Sequence, residues 1–148
     1  MEKENVSIEE KILNSIFKCA KTATASIEAL QNEVNDDNLS NDLKEQFQNY
    51  KDFESQAACK LYAMGSEPKG MNSISKAMLW SNIKLKTMTD ESTSHLSNML
   101  IQGTNMGILD LQKEINEADD SVSEESKTLA NNMLNLMTDN INQLKAYL

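Results

Sequence analysis

Apolar residues recur at steps of three and four positions along most of this 148-residue chain. This spacing places them on one face of an α-helix, whereas a half-buried strand needs alternation at every second residue, which no segment shows. The pattern therefore predicts an all-α protein with four long helices, each spanning about 30 Å or more. The predicted long helices cover residues 8–34, 39–64, 92–117 and 122–147.

The segments between these helices carry signals of helix ends. Ser7 and Glu10 form a capping-box pattern at the start of the first helix, and residues 1–6 before it are expected to be disordered. The sequence "GSEPKG" at 65–70 holds the only proline and two of the four glycines, which predicts a break. A shorter helix is predicted over 72–88. The whole chain, 1–148, is expected to form one domain.

Loop lengths predict the order of the helices in space. Short loops join the first two long helices and the last two, and short loops make antiparallel neighbours. The longer middle segment carries its own helix and could take the chain to the far end of the bundle. Two helical hairpins joined by such a crossover form a ferritin-like four-helix bundle. An up-down-up-down bundle with the short helix packed outside it is the competing topology.

Two stretches of the sequence resemble a known group of proteins. They read "KDFESQAACKLYAMGSEPKGMNSISKAMLWSNIKLKTM" and "HLSNMLIQGTNMGILDLQKEI". In order, they contain a G-x-E-P loop, a short helix with a tryptophan and a third long helix with glycines. This order resembles that of small bacterial ferritin-like domains of unknown function. The resemblance implies the bundle fold and says little about activity.

A di-iron ferritin-like centre needs a Glu from each of two helices and a Glu-x-x-His from each of the other two. Glu54 lies on the core side of the second helix, but the residue three positions later is Ala57 instead of histidine. On the last helix, Met137 and Asn140 occupy the inward positions. The only histidine, His95, lies near the start of its helix. We therefore expect no dinuclear metal site and no cofactor.

Two other kinds of chemistry are a carboxylate metal site and a cysteine nucleophile. A metal-dependent oxidase or storage protein with an atypical carboxylate site would use Glu54, Asp110 and Glu114 as ligands. Cys19 and Cys59 lack the close spacing of a metal site, and nothing in the sequence activates either as a nucleophile beside His95. Both are expected to be reduced thiols in or near the core of a cytoplasmic protein. The chain is therefore not expected to be an enzyme.

The charge of the chain excludes several partners. The net charge of −9 disfavours binding to nucleic acid or to an anionic membrane. The chain also has no arginine, the residue that binds phosphate through two parallel hydrogen bonds. No signal peptide is recognised in "MEKENVSIEEK", and no apolar run reaches the roughly 18 residues of a membrane span. These observations predict cytoplasmic location.

Four residues stand out against the helical pattern. Glu54 and Asn140 are polar residues on apolar faces, predicted to form a structural contact with each other, with Tyr50 or with a water molecule or, alternatively, to anchor a small molecule in the bundle core. Gly103 and Gly107 lie one turn apart in the third long helix, where each costs about 1 kcal/mol relative to alanine. Without a Cβ they allow a neighbouring helix to approach closely, which is the role predicted for them.

The short helix has apolar residues on more than one side. Leu79, Trp80 and Ile83 are therefore candidates for a contact surface, because exposed apolar clusters usually mark interfaces. Together with the missing metal ligands, this predicts a non-catalytic bundle that acts by self-association or partner binding. A homo-oligomer is expected, with a dimer as the simplest form.

Overall fold

The computed structural model describes residues 6–70 and 73–148, except for the side chains of 73–75, 88 and 89. Residues 1–5, for which disorder was predicted, lie outside the described part. The described chain is helical and contains no strand, which confirms the all-α prediction. The elements are α1 (Ile8–Leu30), a 3₁₀ turn (Gln31–Glu33), α2 (Asp37–Ala63), α3 (Ser73–Thr89), α4 (Thr93–Glu117) and α5 (Glu124–Lys145).

Short polar side chains set where the helices begin. The backbone N–H of Glu10 donates to Ser7 Oγ at 3.1 Å, and Ser92 and Ser123 cap α4 and α5 in the same way. Each such bond satisfies an N–H group that the first turn of a helix leaves without a partner. Asp36 caps α2, so this helix begins at residue 37 and not at the predicted 39.

The ends of the first two helices follow from backbone geometry. The α-helical hydrogen bonding of α1 ends at residue 30 and tightens into the 3₁₀ turn, so the predicted helix to residue 34 is too long. Beyond α2, Gly65 has a φ of +78°, in the left-handed region that only glycine enters without strain. The N–H of Ser66 then returns to the carbonyl of Leu61 at 2.9 Å, a pattern that closes helix ends.

Helix α1 is the most enclosed element of the bundle. It packs against α2, α3, α4 and α5, while α4 and α5 also form a close pair. The core draws on every helix and is almost wholly aliphatic, with Tyr50 as its largest fully buried side chain. The fully buried leucines and isoleucines are Leu13, Ile16, Leu39, Leu43, Leu61, Leu111 and Leu144, among others.

The loop after α2 and the helix α3 both lie against α1. The N–H of Lys69 donates to Asn14 Oδ1 at 2.8 Å. A Cβ at Gly70 would lie 2.8 Å from the Phe17 ring, so the backbone passes close to α1 at this point. Farther along, Lys84 on α3 makes an ion pair with Glu33 at 2.6 Å. These contacts hold the loop and α3 against α1 and the 3₁₀ turn that follows it.

Candidate functional site

The carboxylate of Glu54 is held by lysines. Lys21 Nζ on α1 lies 3.0 Å from one carboxylate oxygen, and Lys51 Nζ lies 3.5 Å from the other. The Glu54 side chain is only 14% exposed, so burial on the core side agrees with its place in the helical pattern. Its negative charge is balanced by two lysine ammonium groups. They occupy the place that a metal ion would take beside a ligand carboxylate.

The structure does not bring the other candidate ligands to Glu54. On α4, Asp110 is exposed and Glu114 is half-buried. Within the described residues, no group of three or more His, Cys, Asp or Glu side chains is placed to hold a metal ion. The atypical carboxylate site of Glu54, Asp110 and Glu114 therefore has no geometric support in the part of the chain described.

Metal content tests this point directly. Protein purified without a chelator is expected to carry far less than one metal ion per chain by elemental analysis, because lysines already neutralise Glu54. Glu54→Gln is expected to leave this value unchanged, as is Glu28→Gln at an exposed position of α1. Stoichiometric metal that disappears in Glu54→Gln but remains in Glu28→Gln would contradict the expectation.

A small polar cluster lies in the middle of the apolar core. Tyr50 on α2 is 2% exposed, and Asn140 on α5 is 5% exposed. The side chains of Asn140 and Thr104 lie beside the Tyr50 hydroxyl. Burial raises the pKa of Tyr50, and the polar interactions with Asn140 and Thr104 lower it by less. The phenol therefore stays protonated and is a structural link between α2, α4 and α5.

The sequence left three partners open for Glu54 and Asn140, which were each other, Tyr50 or a water molecule. The described partners of Glu54 are lysines, and Asn140 lies beside Tyr50. The Nδ2 atom of Asn140 is buried and has no hydrogen-bond partner in the protein. The buried amide of Asn140 thus has a polar atom left unpaired, although it lies beside the Tyr50 hydroxyl.

The two glycines of α4 have different surroundings. A Cβ on Gly107 would lie 2.6 Å from Met137 Cε and 3.8 Å from Cys19 Sγ, so α1 and α5 both come close at this position. A Cβ on Gly103 would meet nothing within 4 Å, and the residue is exposed. Close packing is therefore not the role of Gly103 within the chain.

The thiols show no sign of activation. Burial raises the pKa of the Cys19 thiol to about 11, and the charge of Asp110 adds to this effect. Its Sγ lies 3.7 Å from the carbonyl oxygen of Gly107 and donates to it. At neutral pH almost none of this thiol is the nucleophilic thiolate. Cys59 is exposed, and both cysteines are free.

The candidate interface residues of α3 point largely inward. Ile83 is 7% exposed and belongs to the buried core, while Leu79 and Trp80 are half-buried and pack against it. The expectation of an exposed cluster at these three residues is therefore wrong for Ile83. Among the described side chains of α3, the large apolar ones that point outward are Met78 and Leu85, with 62% and 64% of their surfaces exposed.

Helix α4 has a similar outward pair. Met106 is 68% exposed and Leu109 is 70% exposed. The sequence did not predict this pair as a contact surface, because the predicted surface lay entirely on the short helix. The available signal was their position on α4 opposite the Leu96, Leu100 and Leu111 stripe, all three of which are buried.

Comparison with known proteins found no relative for this arrangement. No family model, no curated protein and no solved structure matches the chain. Among the described residues, no helix is both long enough and apolar enough to cross a membrane. Arguments about function therefore rest on the chain's own residues.

Proposed function

We propose that this protein is a non-catalytic helical bundle that acts by associating with a second copy of itself. The observation that carries the proposal is the exposure of large apolar side chains on α3 and α4. Met78, Leu85, Met106 and Leu109 each expose more than three-fifths of their surface. Burial of an exposed apolar side chain on association is favourable by about 25 cal/mol for each Å² removed from water.

The state of the reactive groups supports a non-catalytic role. Catalytic acids, bases and nucleophiles need a pKa close to the working pH and a neighbour that activates them. Here the Glu54 carboxylate is paired with lysines, and the pKa of Cys19 is raised away from neutrality. The Tyr50 phenol is buried, and burial raises its pKa. None of these groups faces a partner that would prepare it for reaction.

The proposed topology is the ferritin-like one, with two antiparallel hairpins and α3 in the crossover. Glu9, at the start of α1, hydrogen-bonds with Ser123, at the start of α5. Lys60, near the end of α2, pairs with Glu125, also at the start of α5. These contacts support a bundle in which α1 and α5 start at one end, where α2 and α4 finish. In such a bundle α2 and α4 run the same way, and α3 returns the chain between them.

The oligomeric state tests the proposed function. Light scattering on the purified full chain at micromolar concentration is expected to give a mass of twice the 16.6 kDa of one chain. The expected dimer follows from the preference of homo-oligomers for closed two-fold symmetry. A mass of one chain that persists into the millimolar range would overturn the proposal.

A further inference from the structure

Helix α3 is the least enclosed helix in the described part of the chain. The four long helices each pack against at least two others, whereas α1 is the one main partner of α3. Among the described α3 side chains, at positions 76–87, two are buried, and these are Ile83 and Thr87. An element with few buried side chains opens at a lower free-energy cost than a helix of the core.

Two polar groups on the inward side of α3 do not join it to the bundle. The Thr87 hydroxyl donates to the carbonyl oxygen of Lys84 at 3.0 Å, which is a bond within α3 itself. The Trp80 Nε1 atom is buried and has no hydrogen-bond partner among the described residues. If α3 moved away from α1, this N–H group could donate to water, which would offset part of the cost of opening.

An ion pair couples α3 to the end of α1. Lys84 Nζ lies 2.6 Å from one carboxylate oxygen of Glu33, in the 3₁₀ turn after α1. The Glu33 side chain is 17% exposed, and its second carboxylate oxygen is buried without a hydrogen-bond partner. A carboxylate in such a place is costly unless a cation lies beside it. Lys84 supplies this cation only while α3 is docked on α1.

The segments on both sides of α3 are anchored by contacts that do not involve it. Before α3, the N–H of Lys69 donates to Asn14 Oδ1 at 2.8 Å. After α3, Ser92 Oγ accepts from the N–H of His95 at 3.2 Å and so caps α4. Movement of α3 therefore breaks neither the contact of the preceding loop with α1 nor the start of α4.

We propose that α3 is a strap that undocks from α1 while the four long helices stay folded, and that the Lys84–Glu33 ion pair is its latch. This inference goes beyond the proposed self-association. Undocking uncovers the inward apolar side chains of the strap, Leu79, Trp80 and Ile83, and the side of α1 beneath them. A helix of 17 residues is marginal in water by itself, so the undocked strap loses helical structure.

The fluorescence of Trp80 tests whether α3 opens independently. Trp80 is the only tryptophan, so its emission reports on the strap alone. In a urea titration, the emission is expected to change at a lower urea concentration than the main loss of far-ultraviolet circular dichroism, which comes from the long helices. Coincident transitions are the mark of all-or-none unfolding, and they would overturn the inference.

Hydrogen exchange separates opening of the strap from unfolding of the bundle. Ile141→Val changes a residue of α5 that is 7% exposed and is expected to speed amide exchange in α5 by about threefold or more. Exchange in α3 is expected to stay unchanged, because undocking of the strap leaves the contacts of Ile141 intact. Equal acceleration in both helices would mean that α3 opens only with the whole chain.

Substitution of the latch tests the ion pair. Lys84→Met is expected to speed amide exchange in α3 about tenfold, because docking then leaves the Glu33 charge without its cation. Glu33→Gln in the Lys84→Met background is expected to slow exchange again, since no charge is then buried. All samples are compared at one protein concentration, because association through α3 would slow its opening.

Lys60→Met is the matched control for the latch. It breaks the ion pair of Lys60 with Glu125, at 2.9 Å between α2 and α5, and is expected to leave exchange in α3 unchanged. If Lys84→Met has no more effect on α3 than Lys60→Met, or if Glu33→Gln does not reverse its effect, the Lys84–Glu33 pair is not the latch.

Discussion

Gly107→Leu is expected to lower the free energy of unfolding by about 1–3 kcal/mol relative to Gly103→Leu, although the two changes are chemically identical. At Gly107 even a Cβ would lie 2.6 Å from Met137 Cε and 3.8 Å from Cys19 Sγ, so a leucine must displace the Met137 side chain and fit beside Cys19. At Gly103 the added side chain enters open space. Both variants gain the same helix propensity, about 1 kcal/mol, which cancels in the comparison.

Urea denaturation followed by circular dichroism measures this difference. Met137→Ala in the Gly107→Leu background is expected to recover part of the lost stability, because it removes the methyl group that the leucine meets. Equal free energies of unfolding for the two glycine variants would show that the side chains around Gly107 rearrange to accept a leucine without cost. Loss of the dimer without loss of stability would place Gly107 in a contact between chains.

Tyr50→Phe is expected to lower the free energy of unfolding by about 1–3 kcal/mol, since it removes the buried hydroxyl that lies beside the polar side chain of Asn140. The Nδ2 atom of Asn140 has no hydrogen-bond partner and the residue is 5% exposed, so no other protein group compensates for the lost hydroxyl. Tyr62→Phe, at a 64% exposed position, is the matched control and is expected to change stability by less than about 0.5 kcal/mol.

A double-mutant cycle identifies the partner of Tyr50. Replacement of both groups by apolar residues in Tyr50→Phe/Asn140→Leu is expected to cost less than the sum of the two single changes, because no polar group is then buried alone. Strict additivity would mean that the hydroxyl and the amide do not interact. The cycle uses thermal unfolding monitored at one protein concentration, since dimerisation makes the melting temperature depend on concentration.

The helices were predictable because their signals are local. Three- and four-residue spacing of apolar residues and the capping serines at 7, 92 and 123 act within a few positions of the chain. α4 was predicted from 92 to 117 and is found at Thr93–Glu117, and α3 was predicted from 72 to 88 and is found at Ser73–Thr89. The largest error, four residues at the end of α1, falls where a 3₁₀ turn follows the helix. The start of α2 and both ends of α5, predicted as 122–147 and found at Glu124–Lys145, each differ by two residues.

The candidate site was predictable only in part, because its contacts join distant residues. The sequence places Glu54 on the core side of its helix, and its side chain is indeed only 14% exposed. It does not reveal that Lys21 of another helix reaches this carboxylate, since a long lysine side chain can extend along apolar surface to a buried charge. The sequence left Tyr50 as one of several possible partners of Asn140, and the contact joins residues ninety positions apart in the chain.

By itself, the sequence determined that this protein is all-helical, where its main segments lie and which metal-ligand pattern is missing, because spacing and residue type act locally. Only the tertiary structure decided which side of α3 faces inward, because a helix with apolar residues on both sides has no preferred face until α1 is beside it. That choice buries Ile83 and leaves Met78 and Leu85 exposed. It also separated Gly107, packed against Met137, from Gly103, which faces open space.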